Sequence, residues 1–263
     1  MATRIFRGSH LQLFRKVVYT RSYATASTAH PGIFRRTVKG TFKYVVLPST
    51  FFAASYIATR RLVADENTEP DVIDMSLYAD GDAEISALPL VQSLRADPRY
   101  KESRPHAEFP IHLRDHSLTT GVLLSPDRLT VPSLVFVDKS KLESVAVMKI
   151  GSKLCGHPGI IHGGLLATLL DEGLCHVGFH ALPSRLGVTA KLAVNFRSPA
   201  YADKIYIMHA KVTKHEGRKA WVSGYIESVP EKAGDKPVVI AESEVMVVQP
   251  KWVSRLPTIV NAD

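Results

Sequence analysis

Cysteine is scarce in this 263-residue chain, which has only Cys155 and Cys175. That excludes a disulfide framework, and the spacing of the potential ligands makes no metal site. Both thiols are read as reduced. Cys155 lies seven residues before His162, but the pattern places no base beside it to make it a nucleophile. There is no glycine-rich nucleotide fingerprint and no internal repeat. The uncharged run 44–59 has sixteen residues, short of the roughly 17–25 of an ordinary bilayer span, and contains Pro48, Ser49 and Thr50.

Acids are absent from residues 1–64, which carry eleven Lys or Arg. The remaining chain holds 22 basic against 25 acidic residues, so the formal charge of +8 belongs to the leader. A basic nucleic-acid footprint on the folded body is thereby excluded, and no nucleic-acid partner is expected. The leader is rich in Arg, Ser and Thr, and Ile5, Phe6, Leu13, Phe14 and Val17 fall broadly along one helical side. That composition reads as a mitochondrial transit peptide over 1–40, with Arg21-Ser22-Tyr23 as a cleavage motif. Residues 41–82 follow, as an apolar segment and an acidic linker. Two readings of 44–59 stay open: a membrane anchor between Lys43 and Arg60-Arg61, or an apolar linker. The expected compartment is the mitochondrion, matrix or inner membrane.

In the body, Ile85, Leu88, Val91 and Leu94 recur at helical spacing until Asp97-Pro98, which predicts a peripheral helix within 83–104. Strands are expected at 118–124, 132–140, 144–151, 187–198, 204–214, 218–229 and 237–249, with a hairpin turn at 215–218. A long apolar helix over 163–180 interrupts them. The pattern predicts an α+β domain over 105–250, a curved antiparallel sheet wrapped around one central helix, and a tail at 251–263. Within 187–198, alternation puts Val188, Ala190, Leu192, Val194 and Phe196 on one face, opposite Thr189, Lys191, Asn195 and Arg197.

The stretch HPGIIHGGLLATLLDEG (157–173) concentrates the chemistry. A helix start leaves amides unpaired, and Gly163 and Gly164 let a carbonyl oxygen approach that backbone. Asp171 has Ala167, Leu170, Leu174 and Cys175 as helix neighbours, so no cation at those spacings pairs with it. A carboxylate in such a setting suits general-base work on water. Asp171 lies nine residues beyond His162, about 13 Å along the axis. If it and the Gly164 amide act on one carbonyl, two chains must contribute, which points to a symmetric dimer. Glu172, about 100° round the helix, is the competing acid. His162 reads equally as a structural helix cap.

The run Pro158-Gly159-Ile160-Ile161-His162-Gly163-Gly164 with Asp171 nine residues after the His resembles the hotdog-fold acyl-CoA thioesterases. The likeness continues through VTAKLAVNFRSPA, HEGRKAWVSGYIES and AESEVMVVQP, covering roughly 110–250. The resemblance implies a hotdog fold and hydrolysis of fatty acyl-CoA to free acid and coenzyme A, without a cofactor. It implies Asp171 as base or nucleophile, the Gly164 amide on the thioester carbonyl, His162 orienting the site and Thr189 positioning water or carboxylate. Gly163, Lys191, Arg197 and Lys219 are the candidate substrate-binding residues, Arg218 beside them, the cations for coenzyme A phosphates. Where many relatives have Asn six residues before the His, Gly156 stands here.

Two other functions remain open. One is a catalytically inactive hotdog protein that binds acyl groups or assembles at the inner membrane; the other is a hydratase, since His176 stands five residues after Asp171. The expected partners are acyl-CoA and a second copy of the chain, as a homodimer or tetramer, and a membrane as well under the anchor reading of 44–59.

Overall fold

The structure is a computed structural model that describes residues 73–255 apart from 231 and 233. The leader, the apolar segment 44–59, the acidic linker up to 72 and the tail beyond 255 lie outside the described residues.

One long helix, α3 (Gly163–His180), lies against a seven-stranded antiparallel sheet. The strands are β1 (Tyr100–Ser103), β2 (Leu134–Asp138), β3 (Glu143–Ile150), β6 (Val188–Phe196), β7 (Lys204–Glu216), β8 (Lys219–Ser228) and β9 (Val239–Val248). Their order is β1-β2-β3-β7-β8-β9-β6. Two short strands, β4 (Cys155–His157) and β5 (Ile160–Ile161), pair just before the helix. This is the expected α+β hotdog architecture.

The helix forms because its residues are apolar nearly all round, and it buries what it presents to the sheet. Leu165, Leu166, Leu169, Leu170, Leu174 and Val177 pack with Met208, Val222, Val245 and Val247. Burying each such aliphatic side chain contributes roughly 2 kcal/mol before conformational entropy is counted. Close approach depends on Gly178, where a Cβ would meet methyls of Val222 and Val247 at 2.9 Å.

The sheet's other face is covered at one end by α1 (Ala79–Ser86) and α2 (Pro89–Ala96). Ile85, Val91 and Leu94 pack there with Leu134, Phe136, Val145, Val147 and Ile207. The single expected helix is thus two. Pro89 starts the second, because proline disfavours helical backbone in the residue before it and fits a first helical turn. β1, at 100–103, was not anticipated.

The strand expected at 118–124 is instead a π-helical turn, Leu118–Val122. The Ser117 side chain accepts from the Thr120 amide, and the Val122 and Leu123 amides close onto the carbonyls of Ser117 and Leu118. Local hydroxyl capping outcompetes the β pattern.

On β6 the expected alternation breaks. Thr189 pairs with Val247 and Lys191 with Met246, leaving Ala190 as an extra, bulged residue. Thr189 therefore shares the helix-facing side with Leu192, Val194 and Phe196, while Lys191 and Asn195 face outward. A bulge re-aims side chains in this way.

Candidate active site

The start of α3 is capped by its own histidine. His162 has extended backbone (φ −63°, ψ 127°), and its Nδ1 accepts the Gly164 amide at 2.9 Å. A Cβ at residue 164 would sit 2.9 Å from that ring, so the glycine is required by the cap. The Gly164 amide, expected to polarise a substrate carbonyl, is therefore already engaged within the chain. The Gly163 amide meets no acceptor among the described residues. Beside it lies a hollow of about 340 Å³ walled by Ile161, Gly163, Leu166, Phe196, Arg197 and Pro199. Phe196 is 55% exposed there.

Two turns further on, Asp171 is held by the bulged strand. Thr189 Oγ1 donates to Asp171 Oδ1 at 2.9 Å. Cys175, one turn along the same helix face, puts its Sγ 3.7 Å from Oδ1 and 3.1 Å from the threonine hydroxyl. Burial first, and then the Asp171 charge, push the Cys175 thiol up to about 12. No cation pairs with Asp171 among the described residues. Within one chain, eight residues, about 12 Å along the axis, separate Asp171 from Gly163.

The competing acid is committed elsewhere. Glu172 Oε1 accepts from Thr119 Oγ1 at 3.0 Å and is 3.3 Å from His106 Nε2. Burial pushes its carboxyl up, but His106 and Thr119 outweigh this and hold it below the usual glutamate range. His176, one turn on, is pushed down to about 4, mostly by burial and then by His180. Thr119 comes from the segment expected as a strand and His106 from the stretch before it, so no periodic signal marked them.

The remaining candidates separate. Arg197 stands at the mouth of the hollow, its Nη2 2.6 Å from Glu242 Oε2 in an exposed pair. Lys191, across from Met246, lies on the outer face of the sheet. Lys219 pairs with Val248, seven residues along β9 from the Ala241 that faces Phe196. That is about 23 Å from the hollow, so neither lysine reaches the hollow in its own chain. Arg218 donates to the Gln249 carbonyl at 2.6 Å, just past the end of β9. A larger depression of about 560 Å³, lined in part by His209, Tyr225 and Glu242, holds none of the site residues.

Known proteins are similar to this chain in sequence. Residues 158–230 match the thioesterase superfamily. A mitochondrial protein of Candida albicans is 38% identical over 156 residues, 59% of this chain and 70% of that one. A protein of Schizosaccharomyces pombe is 32% identical over 169 residues, 64% of this chain and 93% of its own length. The chain belongs to the thioesterase superfamily. This superfamily member is also 29% identical to the acyl-coenzyme A thioesterase THEM4 of Rattus norvegicus, over 51% of this chain and 62% of that one. Its compartment is the mitochondrion, as the name of the Candida albicans relative indicates.

Proposed function

We propose that this chain is a mitochondrial acyl-CoA thioesterase that hydrolyses fatty acyl-CoA to free fatty acid and coenzyme A. The observation carrying this reading is Asp171: a carboxylate with no cation partner among the described residues, oriented through one oxygen by Thr189, beside the open edge of the sheet. In the reaction, Asp171 takes a proton from water as the oxygen attacks the thioester carbonyl. The oxyanion is met by a helix-start amide, and the departing sulfur recovers the proton as the C–S bond breaks. With the Gly164 amide capped by His162, the donor is Gly163.

Support for a two-chain site comes from β6. It is an edge strand of nine residues, and an uncovered edge invites pairing with another strand. Antiparallel self-pairing about its middle residue, Leu192, sets Phe196 of one chain opposite Val188 of the other. The hollow beside Gly163 then meets the Asp171–Thr189 pair across the two-fold axis, removing the 12 Å obstacle. Arg197 at that hollow is suited to a coenzyme A phosphate. Its exposed pairing with Glu242 is worth only about 0–1 kcal/mol and gives way readily.

The test is thiol release by the purified chain on acyl-CoA substrates from short to long, beside Asp171→Asn. A drop of roughly 10²–10⁴ in turnover with the fold intact is expected. No release on any substrate, with acyl-CoA still bound, would replace hydrolysis with an acyl-binding role.

A further inference from the structure

We propose that Cys175 is the positioning residue that decides which oxygen of Asp171 does the chemistry. Its thiol and the Thr189 hydroxyl converge on Asp171 Oδ1, leaving Oδ2 free for water and substrate.

The geometry is a closed triangle of three polar atoms. Thr189 Oγ1 is 2.9 Å from Asp171 Oδ1, Cys175 Sγ is 3.1 Å from that hydroxyl, and Sγ is 3.7 Å from Oδ1. A threonine hydroxyl has one proton to give, and it goes to the carboxylate. The thiol proton then has two acceptors, the threonine oxygen or Oδ1 itself, and either way the hydrogen-bond chain ends on Oδ1. No described residue donates to Oδ2.

Residues four apart share a helix face, so α3 itself fixes the thiol beside the carboxylate. Cys175 is only 6% exposed and belongs to the core that holds the helix against the sheet. Its surroundings suppress ionisation, so the sulfur keeps its proton and acts as a donor, not a nucleophile. A carboxylate with both oxygens free would rotate about its Cβ–Cγ bond. The hydroxyl on Oδ1, backed by the thiol directly or through that hydroxyl, holds the plane and presents the other oxygen in one direction.

The catalytic half of this inference rests on the thioesterase reading; the hydrogen-bond half does not, and the experiment separates them. The full chain is compared as wild type, Cys175→Ala, Cys175→Ser and Asp171→Ala. The S–H stretching band of Cys175, told apart from that of Cys155 by its loss in Cys175→Ser, reports donation directly. It should shift toward the free-thiol frequency in Asp171→Ala.

In acyl-CoA hydrolysis, Cys175→Ala should lower kcat roughly three- to tenfold with KM little changed, the scale of one weak donor. Cys175→Ser, which restores a donor, should recover most of that loss; a purely packing role would not give this rescue. An unmoved S–H band, or Cys175→Ala turning over like wild type, overturns the proposal. If the wild type hydrolyses nothing, the thioesterase reading and the catalytic half fall together, while the S–H band still decides the hydrogen bond.

Discussion

Thr189 Oγ1 donates to Asp171 Oδ1 across 2.9 Å, joining the strand after the helix to the middle of the helix. The extra residue Ala190 aims that hydroxyl inward. Removing the hydroxyl should therefore injure the site and spare the fold. Thr189→Val keeps the shape and loses the donor; hydrogen bonds to charged groups are worth about 1.5–3 kcal/mol, a fall of about 10–10² in kcat. Thr189→Ser should retain most activity. Equal turnover by wild type and Thr189→Val would remove Thr189 from the mechanism.

Glu172 should behave as a structural acid. Glu172→Gln leaves Thr119 and His106 poorly matched in a buried setting, at a cost of about 1–3 kcal/mol in denaturant unfolding. Turnover per folded molecule should stay within a few-fold of wild type, in contrast to Asp171→Asn. A collapse of turnover at unchanged stability would make Glu172 the catalytic acid instead.

Stability should fall on mild acidification. His176 is neutral in the fold and pushed down to about 4 from 6.5, with Glu172, His180 and His106 around it. Between those two values the unfolded chain binds the proton and the folded chain does not. Stability is therefore full above pH 6.5 and is lost as pH falls toward 4, by up to roughly 3 kcal/mol. Glu172, held low, adds to the loss only below the ordinary glutamate range. Denaturant melts at pH 7 and pH 5 measure this, and His176→Gln should flatten the difference.

A site shared between chains permits complementation. Gly163→Pro removes the free amide at a first helical position, where proline is tolerated, and Asp171→Asn removes the carboxylate. Each alone should be nearly inactive. Mixed after co-refolding, they should regain roughly a quarter of wild-type activity, because half the dimers carry one intact site. No recovery in mixtures that demonstrably form heterodimers would place the whole site in one chain.

Much of this was legible in the residues. The bounds of α3 follow from His162-Gly163-Gly164 and an unbroken apolar run, and six of the seven expected strands formed. All of these are signals carried by neighbours a few residues apart. The composition of the acid-free leader pointed to the mitochondrion, the compartment that the name of the Candida albicans relative carries.

Relations between distant segments were a different matter. Neither the bulge at Ala190 nor the choice between Asp171 and Glu172 is written in a local pattern. Alternation placed Thr189 on the wrong face, because an inserted residue shows only once β9 supplies the register. Nothing in the order of residues said that His106 and Thr119, 66 and 53 positions away, would engage Glu172. The sequence by itself determined the helix, the strands and the chemical types at the site. The tertiary structure decided which acid is engaged and which stands at an open edge, because hydrogen-bond partners far apart in sequence meet only when the chain packs.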